Sequence, residues 1–421
     1  MLLRFEVANH RSIKETVELS MIAVDEDRVA ARSFDRLQEK VLTLASIYGA
    51  NASGKTNVLK ALAWLSEAVG SSLRQWGDFV PREPFRFGEG ETRTSAFEVE
   101  FMTNDIRYAY HLEVSDSEVV FESLASYPER RRRVLFERDG MDLHLRRGLT
   151  AAVGARTLLT PTTLALSAAM RFEEPEISSF GRDLSGISHL NLHRSPYRRR
   201  GADSRRRFPS TTSIFDYSAD DAVEDVGPAL SKDRELAISM LRLADLGIDD
   251  VDVLDIEGAR GVGVRKSLQL VHRAGEHRSS FHMSEESDGT RVWFSLIGPV
   301  LGVLRTGGVL LLDEIDASLH PLLSAHLLTL FQDPETNPRN AQLIFTTHDT
   351  SLLNHLNRDE VWLTEKGEDG STSLTALAEY GGDKVRRSTN LERAYLQGRF
   401  GAVPQVDQFA LRHALGLLGE G

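Results

Sequence analysis

Two hydrophobic periods run along this chain. Alternation with period two marks Leu2-Leu3-Arg4-Phe5-Glu6-Val7 and Ala96-Phe97-Glu98-Val99-Glu100-Phe101 as strands with one buried face. Unbroken apolar runs at Val41 to Tyr48, Val309 to Leu312 and Leu343-Ile344-Phe345 read instead as strands covered on both faces. Helical spacing predicts a helix from Asn57 to Val69, with Val58, Leu62 and Leu65 on one face. A second helix begins at Ser231, carries Leu236, Met240, Leu243 and Ala244 at three- and four-residue steps, and stops at Gly247. A third covers Val292 to Leu304. From 231 to Thr364 strands and helices alternate, which predicts a parallel sheet with helices on both faces. The stretch from Asp116 to Pro228 breaks this rhythm with arginine clusters and Ser/Pro/Gly turns, the pattern of an inserted mixed α+β domain. The expected division is therefore 1–115, an insert at 116–230, and 231–421, with the first and last parts forming one α/β unit.

Composition changes this picture little. The 421 residues are 41% hydrophobic and 27% charged, as in ordinary globular proteins, and long enough for two or three domains. No stretch offers the roughly 20 apolar residues of a membrane helix. Met1 to Arg11 alternate charged and apolar residues, unlike a signal peptide. There is no cysteine, which excludes disulfides, thiolate metal sites and a cysteine nucleophile, and the expected compartment is the cytoplasm. The net charge of −12 argues against a chain that coats nucleic acid over its whole surface. Three local clusters, Arg130 to Arg133, Arg198 to Arg200 and Arg205 to Arg207, remain candidates for contact with nucleic-acid phosphates or an acidic partner.

Chemistry enters at Gly49-Ala50-Asn51-Ala52-Ser53-Gly54-Lys55-Thr56, which fits G-x-x-x-x-G-K-[ST] between a predicted strand and a predicted helix. The glycines let the loop curl so that the N–H groups of Asn51, Ala52, Ser53, Gly54 and the first helical residues through Asn57 face phosphate oxygens. Lys55 is expected to neutralise the β- and γ-phosphates of ATP, and the Thr56 hydroxyl to ligate Mg²⁺. Four apolar residues, Val309 to Leu312, deliver Asp313 and Glu314 to the carboxyl end of a buried strand. Asp313 is the second Mg²⁺ candidate, and Glu314 the general base that would activate water. His348 closes the next strand, where an imidazole could report on the γ-phosphate.

These residues carry a resemblance. Asp313-Glu314-Ile315-Asp316-Ala317-Ser318-Leu319-His320-Pro321 resembles the Walker B and D-loop of SMC- and RecF-type ATPases, and Ala8-Asn9-His10-Arg11-Ser12 resembles their opening segment. The resemblance implies an ABC-type, SMC/RecF-like head with ATP and Mg²⁺ sandwiched in a head-to-head homodimer, higher assemblies being compatible with it. It places Arg11 near the nucleotide, and it sends Ser287 and Gly289 of Ser284-Glu285-Glu286-Ser287-Asp288-Gly289-Thr290, in the signature position, across to the partner's γ-phosphate. The usual Leu-Ser-Gly-Gly core is absent, His320 stands where the D-loop is usually acidic, and no Q-loop glutamine is placed.

A narrower resemblance is to the AAA_15/AAA_21-type ATPases of bacterial phage-defence and abortive-infection loci. Its residues are Ser287-Asp288-Gly289-Thr290-Arg291, Ala244-Asp245-Leu246-Gly247-Ile248, and the tract Thr389 to Pro404, which is similar to the C-terminus of ATPases partnered with RloB-like proteins. It implies a sensor or regulatory subunit controlling a separate effector, a Toprim-type nuclease. An internal nuclease is not expected: about seventy residues follow His348, less than a domain of that kind needs, and Asp250-Val251-Asp252 reads more simply as a strand edge. A RecF-like repair ATPase that engages DNA directly is the alternative, and a transporter energy module is a weaker third.

Overall fold

The computed structural model describes residues 1–149, 151–192, 210–216, 227–257, 264–380 and 390–401. In chain order, β1 (Leu2–Ala8), β2 (Val17–Ser20) and the two-residue strands β3 (Ala31–Arg32) and β4 (Val41–Leu42) lead into β5 (Leu44–Gly49) and helix α1 (Lys55–Gln75). β6 (Ser95–Thr103), β7 (Ile106–Val114), β8 (Val119–Tyr127), β9 (Arg133–Asp139) and β10 (Asp142–Leu145) follow as hairpins. With β1 and β2 they form one seven-stranded antiparallel sheet of order β10-β9-β8-β7-β6-β1-β2. Alternation works as predicted in β6, where Phe97, Val99 and Phe101 are buried and Glu98 and Glu100 lie on the wetter face. The boundary expected between 115 and 116 falls in the β7–β8 turn of this sheet, and β7 and β8 are hydrogen-bonded across it. α2 (Ala165–Ala169) and α3 (Pro175–Ser185) pack on α1 in the same core. Residues 116–187 thus continue the N-terminal layer, because β8 supplies the pairing partner that β7 needs.

The second sheet is mostly parallel. β11 (Ser188–Leu190) starts it, and its order is β11-β15-β16-β5-β17-β18, with β15 (Val309–Leu312), β16 (Gln342–Thr346), β17 (Val361–Lys366) and β18 (Thr372–Ala376). Only the β17–β18 pair is antiparallel. β5, from the beginning of the chain, lies between strands from its end, so the two ends build one unit. Period two sorts its residues: Ala45, Ile47, Leu311 and Ile344 face α1 and the antiparallel sheet, whereas Leu44, Tyr48, Leu310, Leu312, Leu343 and Phe345 face the opposite core. That core is closed by α4 (Thr211–Phe215), α5 (Gly227–Ala244), α6 (Asp288–Thr306), α7 (Pro321–Gln332) and α8 (Leu391–Leu396). α1 is consequently buried between two sheets, with Val58, Leu59, Leu62 and Leu65 inside.

Two expectations need correction. The predicted face of α5 included Leu236 and Leu243, which are 42% and 52% exposed, whereas Ala237, Met240 and Leu241 are buried. The Trp293 indole, which donates to the carbonyl of Met240 at 2.7 Å, fixes that orientation. Between α5 and α6, β12 (Ile248–Glu257), β13 (Val264–Ala274) and β14 (His277–His282) form a separate antiparallel three-stranded sheet rather than joining the parallel one. Asp250 and Asp252 lie on β12, paired with Arg234 at 3.1 Å and with the Ser280 hydroxyl at 3.2 Å. Among the described residues, no helix is long and apolar enough to cross a membrane. The clusters Arg198 to Arg200 and Arg205 to Arg207 lie outside the described residues, as does the end of the C-terminal tract beyond Gly401.

Candidate functional site

Parallel strands bring their carboxyl ends to one edge: in the order β15-β16-β5, Asp313 lies level with Thr346, Thr346 pairs with Ile47, and Gly49 follows two residues further on. The loop after β5 curls through left-handed residues: Ala52 has φ +62° and Gly54 φ +108°. A side chain at Gly54 would put its Cβ 2.0 Å from the Thr372 Oγ1, and one at Gly49 would lie 2.3 Å from the Thr364 Oγ1. Both glycines are therefore required by sterics as well as by backbone conformation. From below, the Thr372 hydroxyl donates to the Ser53 carbonyl at 2.8 Å, and the Ser53 and Thr364 hydroxyls are 2.6 Å apart. Asn51 and Ala52 form the exposed crest of the loop. α1 then starts at Lys55, so its first N–H groups point out of the helix toward the loop's concave side.

Lys55 is buried and folds back, donating to the carbonyls of Gly49 at 3.0 Å and Ala50 at 3.1 Å. Burial lowers its pKa, opposed by the nearby carboxylates of Glu314, Asp313 and Asp316. Thr56 donates to Asp313 Oδ1 at 3.0 Å, which joins the loop to the acidic strand end. Those two oxygens are the donor set Mg²⁺ takes when phosphates and water complete its shell, so the residues present fit that ion.

Asp313 is held from three further sides: the Thr346 hydroxyl donates to its Oδ1 at 2.7 Å, its carbonyl accepts from the Asn191 amide at 3.1 Å, and its N–H reaches the Leu190 carbonyl at 3.2 Å. Glu314 follows with φ +52°, exposed, and among the described residues its carboxylate has no hydrogen-bond partner. Asp316 accepts from the Thr347 hydroxyl at 2.8 Å and from the backbone N–H of His348 at 3.2 Å. Partial desolvation, then the Lys55 ammonium, lower the His348 pKa, which keeps the imidazole neutral at physiological pH.

The remaining predicted residues lie further out. Asn57 donates to the Ser12 hydroxyl at 2.6 Å, and Ser12 touches Thr372 at 2.8 Å, so the opening segment reaches the loop through Ser12. Arg11 pairs with Glu83 at 2.7 Å, one residue away from that contact. Ser287 caps α6, its hydroxyl accepting from the Thr290 N–H at 3.1 Å. Gly289 packs against Ser318, whose carbonyl a Cβ would approach to 2.9 Å. The 284–290 segment therefore lies against the turn at Ser318 of the same chain, and none of its described hydrogen bonds reaches the 49–56 loop. His320 caps α7 by accepting from the Leu322 N–H at 3.2 Å. The supporting hydroxyls of Thr346, Thr364 and Thr372, with Asn191, were not singled out from the sequence; their common signal is a polar residue at or beside the carboxyl end of an apolar strand, or at the start of the returning one.

The C-terminal tract joins the same edge. Tyr395 of α8 stacks edge-on against Tyr48, the residue before Gly49, at 5.8 Å, and the Tyr48 hydroxyl donates to the Asp349 carbonyl at 3.1 Å. Glu392 accepts from Asn354 at 2.7 Å, just beyond His348.

A search of curated proteins finds no match. Among solved structures, the chain is similar to an SMC head bound to the C-winged helix domain of ScpA, with 12% identity, 89% of this chain and 97% of that chain covered, and a TM-score of 0.45. The family described as "AAA domain, putative AbiEii toxin, Type IV TA system" matches residues 44–354, from β5 through the segment after His348, and the chain belongs to that family, AAA_21.

Proposed function

We propose that the chain binds Mg²⁺-ATP on the 49–56 loop and hydrolyses it, in a dimer of heads, as the regulatory subunit of a bacterial anti-phage system with a separate effector. The observation that carries the nucleotide chemistry is the hydrogen bond from Thr56 to Asp313, with the unengaged Glu314 carboxylate beside it. The loop N–H groups and Lys55 bind and orient the phosphates, which requires Lys55 to leave the carbonyls of Gly49 and Ala50. Mg²⁺ held by Thr56 and Asp313 supplies charge neutralisation on the phosphate oxygens. Glu314 takes a proton from water, and His348, neutral, offers an N–H to a phosphate oxygen. Ser287 and, in the D-loop segment, Ala317, Ser318 and His320 are exposed, as residues completing a partner's site must be, with Gly289 half-buried beside them.

The regulatory part of the proposal rests on the family, whose description names a toxin–antitoxin system, and on the C-terminal tract. α8 bridges Tyr48 before the loop and the segment after His348, so a partner gripping the C-terminus would sense both. The effector expected from the resemblance is a Toprim-type nuclease. Co-purification with the product of the neighbouring gene, with and without ATP, tests this. A complex that forms or dissolves with nucleotide supports the regulator; no complex, with ATP-dependent retention of DNA by the chain alone, refutes it in favour of direct DNA engagement.

A further inference from the structure

Thr346 ends β16, is fully buried, and stands between the strand that carries the acids and the strand that feeds the phosphate loop. Its hydroxyl has two partners. The Glu314 N–H lies at 2.7 Å and can only donate, so the Thr346 oxygen accepts there. Its single proton is left for Asp313 Oδ1, also at 2.7 Å. That same carboxylate oxygen takes the Thr56 hydroxyl at 3.0 Å. The Thr346 carbonyl meanwhile accepts the Ile315 N–H at 3.0 Å, so side chain and backbone together clasp three consecutive residues, Asp313 to Ile315.

A buried threonine at a strand end ordinarily just satisfies its own hydroxyl. Two features exceed that role here. Glu314 is held at φ +52°, a conformation a glutamate adopts only when its surroundings impose it, and its N–H is one of the bonds imposing it. The acceptor, in turn, is the carboxylate oxygen shared with Thr56.

We propose that Thr346 is a positioning residue for both acids: its one hydroxyl fixes the rotation of the Asp313 carboxylate toward the cation position and the direction in which Glu314 leaves the strand. This rests on the functional reading above, in which Asp313 serves Mg²⁺ and Glu314 activates water. Without the hydroxyl, Asp313 loses a donor that restrains its rotation, and the 313–314 peptide is released from its left-handed turn. The N–H groups of the 49–56 loop and Lys55 are not attached to Thr346, so metal-free nucleotide binding is independent of it.

The experiment uses the full chain as Thr346→Val, which keeps the shape and removes the hydroxyl, and Thr346→Ser, which keeps the hydroxyl. Affinity for a fluorescent ATP analogue is measured in EDTA and across a Mg²⁺ titration, with the hydrolysis rate and the melting temperature alongside. Outer-shell partners of this kind change metal affinity or activity by about 10–100-fold. The valine variant should therefore need about 10–100-fold more Mg²⁺ for the same gain in nucleotide affinity and lose kcat by a similar factor, with EDTA affinity within about twofold of wild type. The serine variant should return to within about threefold of wild type. Wild-type Mg²⁺ dependence in the valine variant overturns the proposal, and so does a serine variant as impaired as valine, because packing of the methyl would then be the cause. If the valine variant does not fold, Thr346→Ala takes its place under the same criteria. A wild-type chain that binds ATP with Mg²⁺ yet never hydrolyses it overturns the general-base reading instead, and the Mg²⁺ titration still decides the placement of Asp313.

Discussion

His10 is a buried base in an aromatic pocket, and removing it should change how the chain responds to acid. It is 1% exposed, lies 5.7 Å from the Phe97 ring and 6.3 Å from that of Trp64, and among the described residues neither ring nitrogen has a hydrogen-bond partner. Burial, then the charges of Arg11 and Lys60, depress its pKa to about 3, against the 6.5 of a free histidine. The folded state thus refuses a proton that the unfolded state accepts between those values, so stability falls as pH drops below about 6.5. At pH 5 the deficit is about 1.5 pH units at 1.36 kcal/mol each, or about 2 kcal/mol, and at pH 7.5 it is close to zero. His10→Phe keeps the aromatic contacts and deletes both the titration and the unpaired nitrogens. At neutral pH the gain should be about 1–3 kcal/mol from the polar atoms, less a small cost for the larger ring. The assay is urea unfolding of both proteins at pH 7.5 and pH 5.0. The stability difference between variant and wild type should widen by about 2 kcal/mol on acidification. Parallel pH profiles would refute the reasoning, since they would mean that His10 takes up its proton in the folded protein and the pocket admits water.

Three further outcomes follow from the site. Lys55→Ala removes the one ammonium buried in the loop and should weaken ATP binding by about 10–100-fold, the worth of a charged hydrogen bond, in calorimetric titration. Glu314→Gln should keep ATP affinity, lower hydrolysis at least about 100-fold, and accumulate a dimer visible by light scattering with ATP; hydrolysis at the wild-type rate would remove Glu314 from its role as base. Gly54→Ala forces a Cβ to 2.0 Å from the Thr372 Oγ1 at φ +108°, and should destabilise the fold by about 1–3 kcal/mol in thermal or chemical melts while abolishing nucleotide binding. An unchanged melting temperature would mean that the loop adopts another conformation.

What could be read in the sequence was whatever local spacing determines. The 49–56 loop is legible because its physics is contained in eight consecutive residues and the strand and helix that flank them. The same holds for Val309 to Leu312, where four apolar residues must be covered on both faces and the acids must then emerge at an end. The period-two alternation of Tyr108, Tyr110, Leu112 and Val114 marks β7 as a strand, but it stops at 114, and the pairing with β8 that carries the antiparallel sheet past residue 115 has no local signature beside the arginines of the next hairpin. The buried face of α5 is ambiguous in the sequence for a different reason. Leu236, Met240 and Leu243 satisfy helical spacing as well as Ala237, Met240 and Leu241 do, and only the Trp293 indole, 53 residues away, chooses between the two faces.

The supports of the site belong to a third class, invisible for a topological reason. Thr346 lies 33 residues from Asp313, and Thr372 lies 319 from Ser53; their meetings depend on β16 lying between β15 and β5 and on β18 turning back along β17. No local pattern encodes that strand order. A threonine at a strand end is unremarkable until the neighbouring strands are known, and once they are, its one proton and one accepting oxygen leave a single way to bond Glu314 and Asp313 together. The residues that bind phosphate are therefore specified by motif, whereas those that hold the acids in place are specified by sheet order. This is why the Thr346 variants test the reading of the fold as directly as they test the chemistry: if β16 were elsewhere in the sheet, exchanging that hydroxyl for a methyl could not reach a Mg²⁺ titration at all.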